Sequence, residues 1–181
     1  MKQWFALSAI GRDRPGIVAD LAELIYECDC NLEDSSMTIL GSEFAVLLLL
    51  TGESPDIAER LSSACKRLEW EKRLTVFFRP LEAEPIPYGA THKARRYALQ
   101  AIGADKAGIV AKLSRSLADQ GINVAQMQTQ SRREPESGTP IFTVQLIMDV
   151  PGDVDEQALR DRLERVAGEL CVDVTLDRRE P

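Results

Sequence analysis

The chain has 181 residues, 44% hydrophobic and 28% charged, which is enough apolar material for packed cores and too much for global disorder. Its net charge is −7, and both halves are acidic: residues 1–80 carry 9 basic and 13 acidic side chains, residues 95–181 carry 12 and 14. A nucleic-acid surface neutralises phosphates with clustered Lys and Arg, so this balance argues against direct nucleic-acid binding. The longest apolar run, residues 44–50, has the length of a strand and is far too short to cross a bilayer. Residues 1–4 lead into a short alternating segment rather than a basic head and long apolar stretch, so the expected location is cytoplasmic.

Residues 3–10 alternate in polarity and predict a first strand. Gly11-Arg12-Asp13-Arg14-Pro15-Gly16 reads as a turn into a helix, with Pro15 suited to the first helical turn, where its missing N–H costs nothing. Ile17, Leu21, Leu24 and Cys28 then recur at helical spacing, and Asn31 ends the following loop. Residues 35–40 and 44–50 flank Gly41-Ser42-Glu43, the pattern of a hairpin. Its second strand is apolar at every position rather than alternating, so both faces are expected to be covered, one of them by a second copy in a homodimer. Ser54 or Asp56 starts a second helix with Ile57, Leu61, Ala64 and Leu68 on one face, and residues 73–78 form a closing strand.

Residues 80–94, with three prolines and one glycine, read as a linker. After it the series recurs: a strand at 95–102, a helix at about 107–120 stopped by Gly121, a hairpin over 124–149, a helix at about 153–168 and a strand at 171–177. The loop of the second hairpin, residues 132–140, is a longer surface excursion. The recurrence is also literal. ALSAIGRDRPGIVA at 6–19 and ALQAIGADKAGIVA at 98–111 agree at 10 of 14 positions with a constant offset of 92. A period this long is a whole-domain duplication. The expected domains are therefore 1–80 and 95–181 with a linker at 81–94. The order β-α-β-β-α-β predicts an α+β, ferredoxin-like fold in each: a four-stranded antiparallel sheet with both helices on one face.

The loop at 11–16 is the strongest candidate for chemistry. N–H groups at a helix start favour negative charge, and Gly16 lets a ligand approach the backbone. Asp13 either caps the helix or faces an ammonium group, and Asn31 offers a donor and an acceptor. Together they suit the two ends of an α-amino acid; the plainer alternative is that Asp13 is a cap and the glycines serve the turn. Catalytic groups are scarce. His92 is the sole histidine, and no phosphate- or dinucleotide-binding glycine motif occurs. Cys28-Asp29-Cys30 lacks the further ligands of a zinc site, and the four cysteines predict no disulfide framework. An enzyme, a metal and a cofactor are all not expected.

The sequence Gly11-Arg12-Asp13-Arg14-Pro15-Gly16-Ile17-Val18, at a strand–helix junction in such a unit, resembles the ACT domain, a regulatory module of amino-acid metabolism. Cys28-Asp29-Cys30-Asn31-Leu32-Glu33-Asp34-Ser35 and Leu40-Gly41-Ser42-Glu43-Phe44 are similar to those ACT proteins that carry two such domains and repress the glycine cleavage system. The resemblance implies a regulator that contacts a separate DNA-binding protein, with glycine as the opposing ligand. It implies an amino-acid site at Gly11, Asp13, Arg14, Pro15, Gly16 and Ile17, with Asn31 and Asp34 nearby. A second site would use Gly103, Asp105, Gly108 and Asn123. There the pattern departs, with Ala107 in place of proline and Gln126 in place of the acid at Asp34.

Overall fold

In the computed structural model, which describes residues 2–86, 94–135 and 137–179, the chain divides into two units, Met1–Ile86 and Pro87–Pro181. Much of the expected linker, residues 87–93 with His92, lies outside the described residues. The first unit runs β1 (Gln3–Arg12), α1 (Ile17–Glu27), β2 (Asn31–Leu40), β3 (Glu43–Gly52), α2 (Ile57–Lys72) and β4 (Thr75–Leu81). The second runs β5 (Arg95–Ala104), α3 (Ile109–Ala118), β6 (Asn123–Arg133), β7 (Pro140–Val150), α4 (Glu156–Leu170) and β8 (Val172–Arg179). The sheets have the orders β2-β3-β1-β4 and β6-β7-β5-β8, antiparallel throughout. This is the ferredoxin-like α+β fold that the repeat predicts.

Alternation along β1 decides which face carries the helices. Phe5, Leu7 and Ala9 are buried, and they share a core with Leu48 and Leu50 of β3, Ile17, Leu21 and Leu24 of α1, and Ile57 and Leu61 of α2. The second core repeats the arrangement with Tyr97, Leu99 and Ala101 against Leu146, Met148, Leu113 and Leu163. Each fully buried large side chain contributes about 1.5–3 kcal/mol of transfer free energy. The opposite face of each sheet has no helix on it. On β3, Phe44, Val46, Leu48 and Leu50 point into the core, but Leu47 is 58% exposed, so the chain itself covers only one side of this apolar strand.

Several boundaries move from the sequence expectation, each for a local reason. Gly16 stands at φ +92° as the N-cap, so α1 begins at Ile17 and Pro15 lies in the turn before it, not in the first helical turn. Gly108 at φ +95° likewise delays α3 to Ile109. Asp155 is extended, and its carboxylate accepts from the Ala158 N–H at 2.8 Å, so α4 starts at Glu156 rather than near 153. The first hairpin closes on two residues, with only Gly41 at positive φ, as in a II′ turn. The second closes on residues 134–139, where Glu134 N–H donates to Thr139 O and Ser137 Oγ donates to Glu134 Oε2.

The edge strands differ from the rest. Every residue of β2 is exposed, and a bulge between Leu32 and Asp34 interrupts its ladder with β3. β6 carries the matching bulge between Val124 and Gln126. Among the described residues no helix is long and apolar enough to cross a membrane.

Candidate functional site

The loop between β1 and α1 is built from opposing demands of packing and backbone. At Gly11 a Cβ would stand 2.6 Å from Leu74 Cδ2 and 3.3 Å from the Arg73 carbonyl oxygen. This glycine is therefore fixed by the close passage of the chain entering β4, not by a ligand. Gly103 repeats the contact against Val172 and Cys171. A Cβ at Gly16 would meet only Arg14 Nη1, at an ordinary 3.8 Å, but φ is left-handed, so conformation alone demands glycine there. Ile17 is 2% exposed, and its side chain belongs to the core. Of the resemblance-implied set, Gly11 and Ile17 thus have structural duties.

Asp13 is not the helix cap. The N-cap is Gly16, and no side chain hydrogen-bonds to the first turn of α1. The Asp13 N–H donates to the Ser42 carbonyl oxygen at 2.7 Å, tying the loop to the hairpin tip. Its carboxylate has no hydrogen-bond partner among the described residues. Arg14 folds across the loop instead. One guanidinium nitrogen donates to Asp20 Oδ2 at 2.7 Å and another to the Pro15 carbonyl oxygen at 3.3 Å. Lys72 Nζ stands 3.0 Å from the second Asp20 oxygen. The Arg14 hydrogen bond, and next the Lys72 one, hold the Asp20 carboxyl below its usual range. Sequence reasoning passed over Asp20 and Lys72; the signal was an acid in the first turn of a helix whose cap is glycine.

Asn31 does not join this loop. It opens β2 opposite Thr51, which pairs in turn across the sheet at the level of Trp4, the start of β1. The loop follows the end of β1, level with Leu40 at the far end of β2. Nine strand steps separate the two, about 30 Å. Asp34, level with Leu49 and Ala6, also lies toward the Asn31 end. One small ligand cannot touch the loop and Asn31 of the same unit. Beside Asn31, Glu33 accepts from Thr51 Oγ1 at 2.6 Å and pairs with Lys2 at 3.0 Å; the Thr51 bond, then Lys2, lowers its pKa.

In the second unit Asp105 is engaged, because Ser131 Oγ donates to its Oδ2 at 2.8 Å. Lys106 and Lys112 occupy the places of Arg14 and Asp20, so the clamp is absent. Gly108 keeps the left-handed cap, and Asn123 again sits at the opposite end of the sheet, level with Asp149.

Burial raises the thiols of Cys28, Cys30 and Cys65, the last two to about 11 and about 12, so they stay protonated. No group of three metal-ligating side chains occurs among the described residues. A cleft of about 260 Å³ between α1 and α2 is lined by Asp20, Glu23, Glu27, Arg67 and Lys72 and lies on the helix side.

Residues 3–79 match the family model of the ACT domain, which covers the first unit almost end to end. The glycine cleavage system transcriptional repressor of Escherichia coli strain K12 is 41% identical over 51 residues, 28% of this chain and 27% of that protein. The matched stretch thus spans about a quarter of that relative's length. Two solved structures cover both units. A protein of unknown role from Galdieria sulphuraria matches with TM-score 0.77 and 27% identity over 99% of this chain and all of the other. A protein ascribed to the glycine cleavage system transcriptional repressors matches with TM-score 0.76 and 24% identity over 100% and 99%, which shows the shared fold.

Proposed function

We propose, on the premise that the chain is a tandem ACT-domain protein, that it is an amino-acid-responsive regulator which represses transcription of a glycine-degrading system by contacting a DNA-binding activator. The observation that carries this reading is the asymmetry of the two loops. In the first unit the Asp13 carboxylate is unpartnered beside an uncapped helix start, whereas in the second Asp105 is occupied by Ser131. The first-turn N–H groups suit a ligand carboxylate and Asp13 suits its ammonium, so a free α-amino acid fits the loop by its two ends. Arg14, locked to Asp20, shapes the loop rather than neutralising the ligand. Asn31 and Asp34 have no part in this site within the same unit. Contact through a protein partner is supported by the acid excess of both halves, which disfavours phosphate binding.

Calorimetric titration with glycine, then serine and the other amino acids, tests the reading. Saturable binding that Asp13→Ala abolishes and Asp105→Ala leaves unchanged is the expected result. Binding that survives Asp13→Ala removes the loop from the site. A second reading, an interaction module without a small ligand, is favoured by the uncovered apolar face of the first unit, and no binding of any amino acid at millimolar concentration would select it.

A further inference from the structure

We propose that the helix-free sheet face of the first unit is a two-fold interface between two copies of this chain, packed sheet to sheet. The proposal does not rest on the ligand reading, because it uses side chains of the helix-free sheet face and neither Asp13 nor the first-turn N–H groups of α1. The pairing registers define the face row by row. One row reads Thr38–Ala45–Ile10–Thr75, the next Ser36–Leu47–Ser8–Phe77, and the next Asp34–Leu49–Ala6–Arg79, in the order β2-β3-β1-β4. Beyond the first of these, Leu40–Glu43–Arg12 ends the face. Ile10, Leu47 and Phe77 are 51%, 58% and 66% exposed, an apolar stripe that the chain leaves in water.

A two-fold axis parallel to the strands, midway between β3 and β1, lays β2 of one copy over β4 of the other and β3 over β1. Each row then meets itself reversed. Leu47 falls opposite Ser8, Phe77 opposite Ser36, Ile10 opposite Ala45, and Leu49 opposite Ala6, so each large side chain of the middle rows meets a small one. The charges also match: Asp34 falls opposite Arg79, and Glu43 opposite Arg12. All four are exposed, and none is in an ion pair among the described residues. Two sheets packed this way stand about 10 Å apart with strands nearly aligned. Four strands and four rows offer roughly 500 Å² per copy from strand spacing and rise. The sum is about 1,000 Å², the lower bound of a specific interface, which sets the expectation of a reversible dimer.

The second unit supplies the control. At the register positions of Leu47, Ser8, Phe77 and Ser36 it carries Gln145, Gln100, Thr175 and Gln128. The same fold therefore stands with this row polar, and substitutions copied from it are compatible with folding.

Sedimentation velocity of the full chain over a dilution series is the test. A monomer–dimer equilibrium is expected. The double variant Leu47→Gln/Phe77→Thr should weaken it at least about 100-fold, since each copy loses two buried apolar anchors. Asp34→Arg alone and Arg79→Asp alone should each weaken it about 10-fold, and the two together should restore it, because an isologous pair is rebuilt with its signs exchanged. Far-UV circular dichroism of each variant checks that the fold is kept. A monomer at every concentration overturns the proposal. So does a dimer indifferent to Leu47→Gln/Phe77→Thr, which would place the contact elsewhere, as on the β2 edge. Charge reversals that fail to compensate overturn the two-fold geometry.

Discussion

Leu7 and Leu99, Leu21 and Leu113, and Leu48 and Leu146 occupy matching places in the two units, and all are buried. The helix-free faces have parted company in one row: Leu47 and Phe77 of the first stand where the second has Gln145 and Thr175, while Ile10 and Leu49 keep apolar counterparts in Ile102 and Ile147. The loops have parted as well, with an Arg14–Asp20–Lys72 clamp in one and Lys106 and Lys112 in the other. Only one side of each sheet has to be apolar for the helices to dock. The other side is free to take on a separate role, and in the first unit it carries the apolar stripe of Ile10, Leu47 and Phe77.

The largest expected effects probe what the units share. Leu7→Ala and Leu99→Ala should each destabilise their own unit by about 3 kcal/mol. Both tryptophans, Trp4 and Trp70, lie in the first unit, so tryptophan fluorescence in urea follows that unit while circular dichroism follows both. Leu7→Ala should lower the fluorescence midpoint and Leu99→Ala should not. Equal shifts from both variants would mean that the units unfold as one. Next come the two glycine caps. Gly16→Ala and Gly108→Ala should each cost about 1–2 kcal/mol, because both force a Cβ into the left-handed region. A cost confined to one of them would show that the cap geometries are not equivalent.

A smaller effect separates the second helices. Asp155→Ala should lower stability by about 1 kcal/mol through the lost bond to the Ala158 N–H, whereas Asp56, whose side chain caps nothing, should tolerate alanine. The smallest concerns the clamp. The folded state favours the charged form of Asp20, so its contribution is complete above the unfolded carboxyl value, near 4, and fades as pH falls through the lowered folded value. Between pH 5 and 3 the fluorescence midpoint of Asp20→Asn should therefore fall less steeply than that of the parent chain. Parallel slopes would remove the clamp from the stability of the first unit.

The duplication, the element order and the helix-side cores were legible because each rests on a period that the sequence displays, two for strands and 3.6 for helices. Boundaries were less so. Pro15 reads as a first-turn residue until the φ of Gly16 is known, and β2 starts at Asn31 because the edge strand is polar and shows no alternation to read. The turn from β1 into α1 at 11–16 was legible, but the contacts inside it were not. Gly11 answers to Leu74, 63 residues away, and the partners of Asp20 and Asp13 depend on the fold bringing α2 and the hairpin tip beside the loop. The distance between Asn31 and that loop follows only from the antiparallel register.

The bulge in β2 acts on the surface as a frameshift acts on a message. Upstream of it Leu32 shares the helix side with Leu50; downstream the parity is reset, so Met37 and Ile39 go to the helix side and Asp34, Ser36 and Thr38 to the open one. Removal of the single residue Glu33 would turn the bulge into a regular ladder, Leu32 against Leu50 and then Asp34 against Leu49, and leave both sets on their present faces. The same reset in β6 sends Met127 one way and Gln126, Gln128 and Gln130 the other. The extra residue is thus inherited by both copies, and in each it decides which of the residues downstream reach the open face.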